Sequence, residues 1–183
     1  IAIGADSMNS GTGQITGDNN IAIGVSAGDA LTSGIKNVFM GFDAGGAVNS
    51  GNYNIAIGNL AGDGVTTGGS NILLGSLAGD GISDASHIVA IGDSAARLGS
   101  VTTDANGSVA VGSYSLGSLT SGIVNTAVGY EALQAEDDGD YNTAVGYGVF
   151  NKQTGTSGTT ANSGLGYRAG YYNTTGVKNT YIG

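Results

Sequence analysis

His87 is the only histidine in the chain, and Ser86 and Asp84 lie beside it. Ser, His and Asp are the residue types of a nucleophilic triad. A triad needs the base held in space between the other two, and three loop neighbours cannot supply that geometry. The positions equivalent to His87 in neighbouring repeats hold Lys36, Tyr53, Ser70 and Tyr141. His87 therefore reads as a surface corner residue. Two carboxylate groupings suit hard cations, which take oxygen ligands. Asp29, Asp63 and Asp80 share one repeat position, and Glu136, Asp137, Asp138 and Asp140 cluster around Gly139. The second lacks EF-hand spacing. Solvated corner charges that discourage edge association account for both. Neither grouping makes the convergent carboxylate pair that glycoside cleavage requires. Catalytic, metal and cofactor sites are therefore expected to be absent.

The elements that position these residues follow from an internal repeat. The unit Ile1-Ala2-Ile3-Gly4 recurs along the whole chain. Its glycines are Gly4, Gly24, Gly41, Gly58, Gly75, Gly92, Gly112, Gly129, Gly146, Gly166 and Gly183, and every interval is 17 or 20 residues. Two lengths and no others indicate a coil of fixed size, enlarged at one corner in three turns. Before each anchor glycine the pattern alternates with period two, as in a short strand. Ile3, Ile23, Met40, Ile57, Leu74, Ile91, Val111, Val128, Val145, Leu165 and Ile182 form one aliphatic column. Ile1, Ile21, Val38, Ile55, Ile72, Val89 and Val109 form another, which turns polar at Thr126, Thr143, Ser163 and Thr180. A small column lies between them: Ala2, Ala22, Ala56, Ala90, Ala110, Ala127 and Ala144. The aliphatic face is expected to fill the coil, and the alanine face to lie outside.

Seven residues after the anchor, Leu31, Val48, Val65, Ile82 and Leu119 suggest a second short strand across the coil. Gly34, Gly51, Gly68, Gly122, Gly139 and Gly176 mark a return corner. Asn20, Asn37, Asn54, Asn71, Asn125, Asn142, Asn162 and Asn179 stand four residues before the anchor, and the column breaks at Ile88 and Ser108. Stacked at ~4.8 Å, such side chains can bond to one another along a ladder. Tyr130, Tyr147 and Tyr167 share the position after the anchor, with Tyr171 and Tyr172 following. They read as a surface aromatic ladder that packs between chains or stacks on sugar rings. The Thr-rich corners Thr32-Ser33-Gly34, Thr66-Thr67-Gly68 and Thr174-Thr175-Gly176 read as turn chemistry.

Composition narrows the functions. Glycine is 36 of 183 residues, against a usual ~7%. The charge of −9 disfavours nucleic acid, which needs clustered Lys and Arg. No apolar run approaches the ~18 residues of a membrane span, and no signal peptide is visible. With no cysteine there is no disulfide or thiolate metal site. One coil cannot fold alone. Each buried aliphatic is worth roughly 1.5–3 kcal/mol, while ordering the backbone costs about 1–2 kcal/mol per residue. Stacked coils share a core, so the array is stable only as a whole. Charged residues are 10%, leaving a weakly charged surface. That surface is expected to pack against other copies about a symmetry axis.

At Asn20-Ile21-Ala22-Ile23-Gly24 and Asn54-Ile55-Ala56-Ile57-Gly58 the sequence resembles the head repeats of YadA-like trimeric adhesins. The later units Asn125-Thr126-Ala127-Val128-Gly129-Tyr130-Glu131-Ala132-Leu133 and Asn142-Thr143-Ala144-Val145-Gly146-Tyr147 resemble repeats of bacteriophage tail fibres. The resemblance implies a left-handed parallel β-roll and a homotrimer. The expected fold is an all-β parallel solenoid of about ten coils over residues 1–183, one repeat array taken from a longer fibre protein. The expected function is a structural or adhesive, non-enzymatic segment of a virion tail fibre. It would act outside the cell, presenting parts that bind a host receptor or glycan. The alternative is the head of a bacterial surface adhesin, and behind it a β-helical glycan depolymerase.

Overall fold

The computed structural model describes residues 1–11, 14–97, 105–155 and 158–183. These residues form an all-β parallel solenoid of about ten turns, with no helix. The strands, in chain order, are β1 (Ala2–Ile3), β2 (Ile21–Ile23), β3 (Val38–Met40), β4 (Ile55–Ile57), β5 (Ile72–Leu74), β6 (Val89–Ile91), β7 (Val109–Val111), β8 (Thr126–Val128), β9 (Gly139–Asp140), β10 (Thr143–Val145), β11 (Gly158–Thr159), β12 (Ser163–Leu165) and β13 (Thr180–Ile182). All but β9 and β11 make one parallel sheet of eleven strands, ordered as in the chain. The register keeps every repeat column in line: Ala22 faces Phe39, Phe39 faces Ala56, Ala56 faces Leu73 and Leu73 faces Ala90.

The coil is inside out relative to the expectation. The middle residue of each strand points into the coil: Ala22, Phe39, Ala56, Leu73, Ala90, Ala110, Ala127 and Ala144 are all buried. The aliphatics on either side point outward, and Met40, Ile57, Ile72, Ile91 and Leu165 are 36–53% exposed. Period-two alternation defines two faces but does not say which is enclosed. Interior width decides it. Across the coil from the strand, the chain turns tightly four residues after the anchor. Where the strand brings a large residue, the facing turn position is glycine. A Cβ at Gly28 would lie 2.7 Å from the Phe39 ring, and one at Gly79 would lie 2.6 Å from Leu73. Where the strand brings Ala110, Ala127 or Ala144, the turn supplies Leu116, Leu133 or Phe150, each fully buried. These three side chains fill the interior from backbone at φ 47–52°. That conformation costs an L-residue roughly 1–2 kcal/mol, which burial of about 1.5–3 kcal/mol offsets.

The expected second strand across the coil does not form. Leu31, Val48, Val65, Ile82 and Leu119 are buried, but they directly follow tight turns, and only Ile82 makes an isolated β-bridge. The Leu31 amide bonds back to Gly28 and the Val48 amide to Gly45, which curls the backbone too tightly for a strand. Among the described residues, β9 and β11 pair as a separate two-stranded sheet.

The corners are of two kinds. The anchor glycines have φ between 127° and 149°, which side chains rarely tolerate. Two other corners use ordinary residues at φ near 55–60°: Ser26, Asp43, Leu60 and Leu77 two residues after the anchor, and Lys36, Tyr53, Ser70 and His87 five before it. Their amides point along the solenoid axis and donate to the preceding coil, as Asp43 does to Val25 and His87 to Gly69. Each such bond supports a conformation that is strained in isolation.

Two substitutions test which face is enclosed. Ala127→Leu, opposite the buried Leu133, should destabilise folding by about 1–3 kcal/mol through overpacking. The neighbouring Thr126→Ser, a conservative change on the outward face, should leave coil stability within about 0.5 kcal/mol. Denaturant unfolding of each variant measures both.

Candidate functional site

The asparagine column is the most ordered polar feature. Asn37, Asn54, Asn71, Asn125, Asn142 and Asn162 are almost wholly buried, and Asn20 nearly so. Except at Asn142, whose amide donates to Asn125, a side chain of this column does two jobs. Its amide nitrogen closes the coil by donating to a carbonyl 14 residues on: Asn20 to Gly34 at 2.8 Å, Asn37 to Gly51 at 2.8 Å, Asn54 to Gly68 at 2.9 Å and Asn125 to Gly139 at 2.7 Å. Its oxygen accepts the backbone N–H of the same position in the next coil. Asn37 N–H donates to Asn20 at 2.9 Å, Asn54 N–H to Asn37 at 2.8 Å, and Asn179 N–H to Asn162 at 2.9 Å. The ladder therefore runs mainly through the backbone. Amide-to-amide side-chain bonds add to it at Asn37–Asn20 and Asn142–Asn125. Only a side chain with both a donor and an acceptor can do this, which selects Asn over Asp. Ser108 keeps the pattern at longer range, donating to Gly122 at 3.4 Å and accepting from Asn125 at 3.2 Å. Ile88 ends it from one side, since its N–H is still taken by Asn71.

The anchor glycines Gly24, Gly41, Gly58, Gly75, Gly92, Gly112, Gly129, Gly146 and Gly166 stack directly on one another. A Cβ on Gly58, for example, would lie 2.6 Å from the carbonyl carbon of Gly75. The return glycines have a related role: a Cβ on Gly51 would lie 2.9 Å from the Asn54 amide, inside the ladder.

The acidic groupings differ from each other. Asp63 is half-buried on a flank it shares with Asp29, Asp43 and Asp80. Burial first, then Asp43, Asp80 and Asp29, raise its carboxyl from its ordinary 3.8 to about 6. Arg97, 3.6 Å from Asp80, is the cationic member of the same column. Glu136 is not a surface charge. It occupies the buried position that Leu119 holds one coil earlier, and Gln153 and Asn173 continue that column. Its oxygens accept from the Gly139 N–H at 2.8 Å and from the Gln153 amide. Asn162 and Asn173 in turn donate to Gln153. Burial pushes the Glu136 carboxyl up, and the bonds from Gln153 and Gly139 pull it back. One oxygen from each of Glu136, Asp137 and Asp138 falls within 4.8 Å of the others, the one such acidic convergence among the described residues. The core role of Glu136 was legible seven residues after Gly129, where Leu31, Val48, Val65, Ile82 and Leu119 are its aliphatic counterparts.

The tyrosines form a true stack. Tyr130 and Tyr147 lie 5.5 Å apart and 13° from parallel, and Tyr147 and Tyr167 lie 5.3 Å apart and 17° from parallel. Tyr114 meets Tyr130 edge-on at 6.1 Å. The rings spend most of their faces on one another and leave their edges to solvent. His87 is an exposed corner residue. The threonines satisfy neighbouring turns: Thr32 donates to Asn49, Thr66 to Ser83 and Thr120 to Asp137.

No family model, curated protein or solved structure matches this chain.

Two outcomes follow. Asn54→Ala removes the acceptor of the Asn71 N–H and the donor to Gly68. Each orphaned group costs about 1–3 kcal/mol, so denaturant unfolding should show a loss of about 2–5 kcal/mol. The second concerns pH. Between 3.8 and about 6 the folded chain holds on Asp63 a proton that the unfolded chain releases. Stability should therefore fall as pH rises through that window. The raised carboxyls of Asp29, Glu136 and Asp138 act in the same direction. Thermal melts should give a higher midpoint at pH 4.5 than at pH 7, and Asp63→Asn should flatten the difference.

Proposed function

We propose that the chain is a structural and adhesive segment of a homotrimeric bacteriophage tail fibre, which holds receptor-binding parts away from the virion for host attachment. The observation that carries this reading is the outward face of the eleven-stranded sheet. Ile3, Ile23, Met40, Ile57, Leu74, Ile91, Val111, Val128, Val145, Leu165 and Ile182 run in one line along it. At ~4.8 Å per coil, ten intervals make that apolar stripe roughly 50 Å long. A continuous stripe of this extent marks an interaction site on a soluble protein.

The stripe is straight and repeats at one spacing, so an identical stripe is its natural complement. Closed cyclic packing of three chains would cover every copy at once. The interface sought from composition thus moves from the small-residue flank to the aliphatic face. The Thr and Ser residues at Thr126, Thr143, Ser163 and Thr180 make the later part of that face half polar. The likeness of the later units to tail-fibre repeats favours a virion setting outside the cell. The role is mechanical and multivalent: three identical surfaces bind together, and avidity multiplies weak single contacts.

Sedimentation at low micromolar concentration is expected to show a trimer. Ile57→Asp places a charge in the stripe and should weaken assembly by about 3 kcal/mol or more per chain, shifting the boundary to monomer. A stable, folded wild-type monomer would overturn the reading.

A further inference from the structure

Charge is segregated along this chain. All 14 acidic residues lie within residues 1–140, while residues 141–183 contain Lys152, Arg168 and Lys178 and no carboxylate side chain. Two of those cations gather on the tyrosines. The Arg168 guanidinium lies 4.8 Å from the ring centre of Tyr171, 5.5 Å from Tyr167 and 5.8 Å from Tyr147. Lys152 Nζ lies 5.9 Å from the Tyr171 ring. Among the described residues the one ion pair is Arg97–Asp80, so neither cation is neutralised by a carboxylate. Three rings hold the Arg168 guanidinium in place. An arginine fixed on aromatic faces keeps its planar fork of donors, which matches a carboxylate or phosphate. Beside it Tyr172 is 83% exposed and meets Tyr171 in a T-shaped contact at 4.9 Å, leaving most of its ring open to solvent.

We propose that Arg168, Lys152, Tyr171 and Tyr172 form a binding surface for an anionic saccharide. Tyr172 stacks on the apolar face of a sugar ring, while Arg168 takes the acid group through two parallel hydrogen bonds and Lys152 adds a second positive charge. An open aromatic ring with polar neighbours suits an amphipathic sugar better than an apolar side chain, which would seek a deeper pocket. The acid group supplies the anionic partner that neither cation has among the described residues. The carboxylates lie elsewhere on the chain, and its net charge of −9 disfavours densely charged polyanions such as nucleic acid. Screening confines that field to about 8 Å at physiological salt, so a sparsely charged glycan still reaches the patch.

The site lies on one chain and deepens the attachment role proposed above, and its test is separable from the test of assembly. The full chain is titrated with a galacturonate oligosaccharide, a phosphorylated mannose oligosaccharide, a neutral maltooligosaccharide of equal length and a polyglutamate peptide. Tyrosine fluorescence and calorimetry follow binding. At least one acidic oligosaccharide is expected to bind, at least tenfold more tightly than the neutral one, and to weaken with added salt. The two acidic arms show whether carboxylate or phosphate is preferred. R168Q should weaken binding by about tenfold, as expected for loss of a charge-assisted pair, and R168K should restore only part. Tyr172→Ala should weaken saccharide binding without altering the melting temperature. Sedimentation of the same samples reports assembly: a monomer that still binds the acidic saccharide removes the fibre reading alone. The saccharide site is overturned if neither acidic oligosaccharide binds, if the neutral one binds equally, if polyglutamate binds more tightly, or if R168Q has no effect.

Discussion

Everything in this molecule depends on the backbone hydrogen bonds that join each coil to the next around its perimeter. Gly41 donates to Ile23, Asp43 to Val25, Gly28 to Ala44 and Lys36 to Asp18, so successive coils are held at strand spacing on several sides at once. A coil clamped in this way cannot shift, and each repeat position becomes a vertical column. The chemistry of a column is then the chemistry of one residue type meeting itself. Asparagines bond, tyrosines stack and aspartates repel. The same clamp explains the anchor glycines, whose backbones are pressed onto one another with no room for a Cβ.

Interior space is the second constraint, and it follows from the first. A perimeter closed by backbone bonds encloses a small, constant volume. Phe39 and Leu73 fill it from the strand side, while Leu116, Leu133 and Phe150 fill it from the turn side. Gly164 shows the exchange in one place, because a Cβ there would lie 2.7 Å from the Phe150 ring. Packing density is therefore conserved across coils although no single position conserves its size. The aliphatic residues beside the strand centre have no space inside and are left on the surface.

Much of the architecture was legible in the residues. The anchor spacing predicted the number of coils, and the strand register is the one that aligning the glycines gives. The face of the strand was not legible, since alternation alone carries no inside or outside, and the compensating glycines at 28, 45, 62 and 79 were the signal that could have decided it. Two corners were also hidden. They are built from residues such as Leu60, Tyr53 and Leu77, which have little propensity for positive φ, and it is the coil-to-coil bond that holds them there. The asparagine column was visible as a ladder. Its bonding through backbone amides was not, because that depends on where the return corner falls. Glu136 was misread because proximity to Asp137 and Asp138 outweighed its repeat position.

The buried column that contains Glu136 also bears on how the two halves differ. At Leu31, Val48, Val65, Ile82 and Leu119 it is aliphatic, and from Glu136 it continues as Gln153 and Asn173. A buried polar chain is tolerable only when every member is satisfied. Here Glu136 accepts from Gly139 and Gln153, and Gln153 accepts from Asn162 and Asn173. The network ties the asparagine ladder to the opposite wall of the coil, a link that a leucine cannot make. The same coils carry the threonines on the outer face and the tyrosine stack on the flank. The later coils thus replace one apolar column inside and one outside, while Leu133 and Phe150 still fill the interior. The replacements are directional bonds and ring stacking, which fix side chains in place more specifically than aliphatic contacts do. A region built in this way suits recognition, where position matters more than bulk stability, while the earlier aliphatic coils suit the work of holding a rod together.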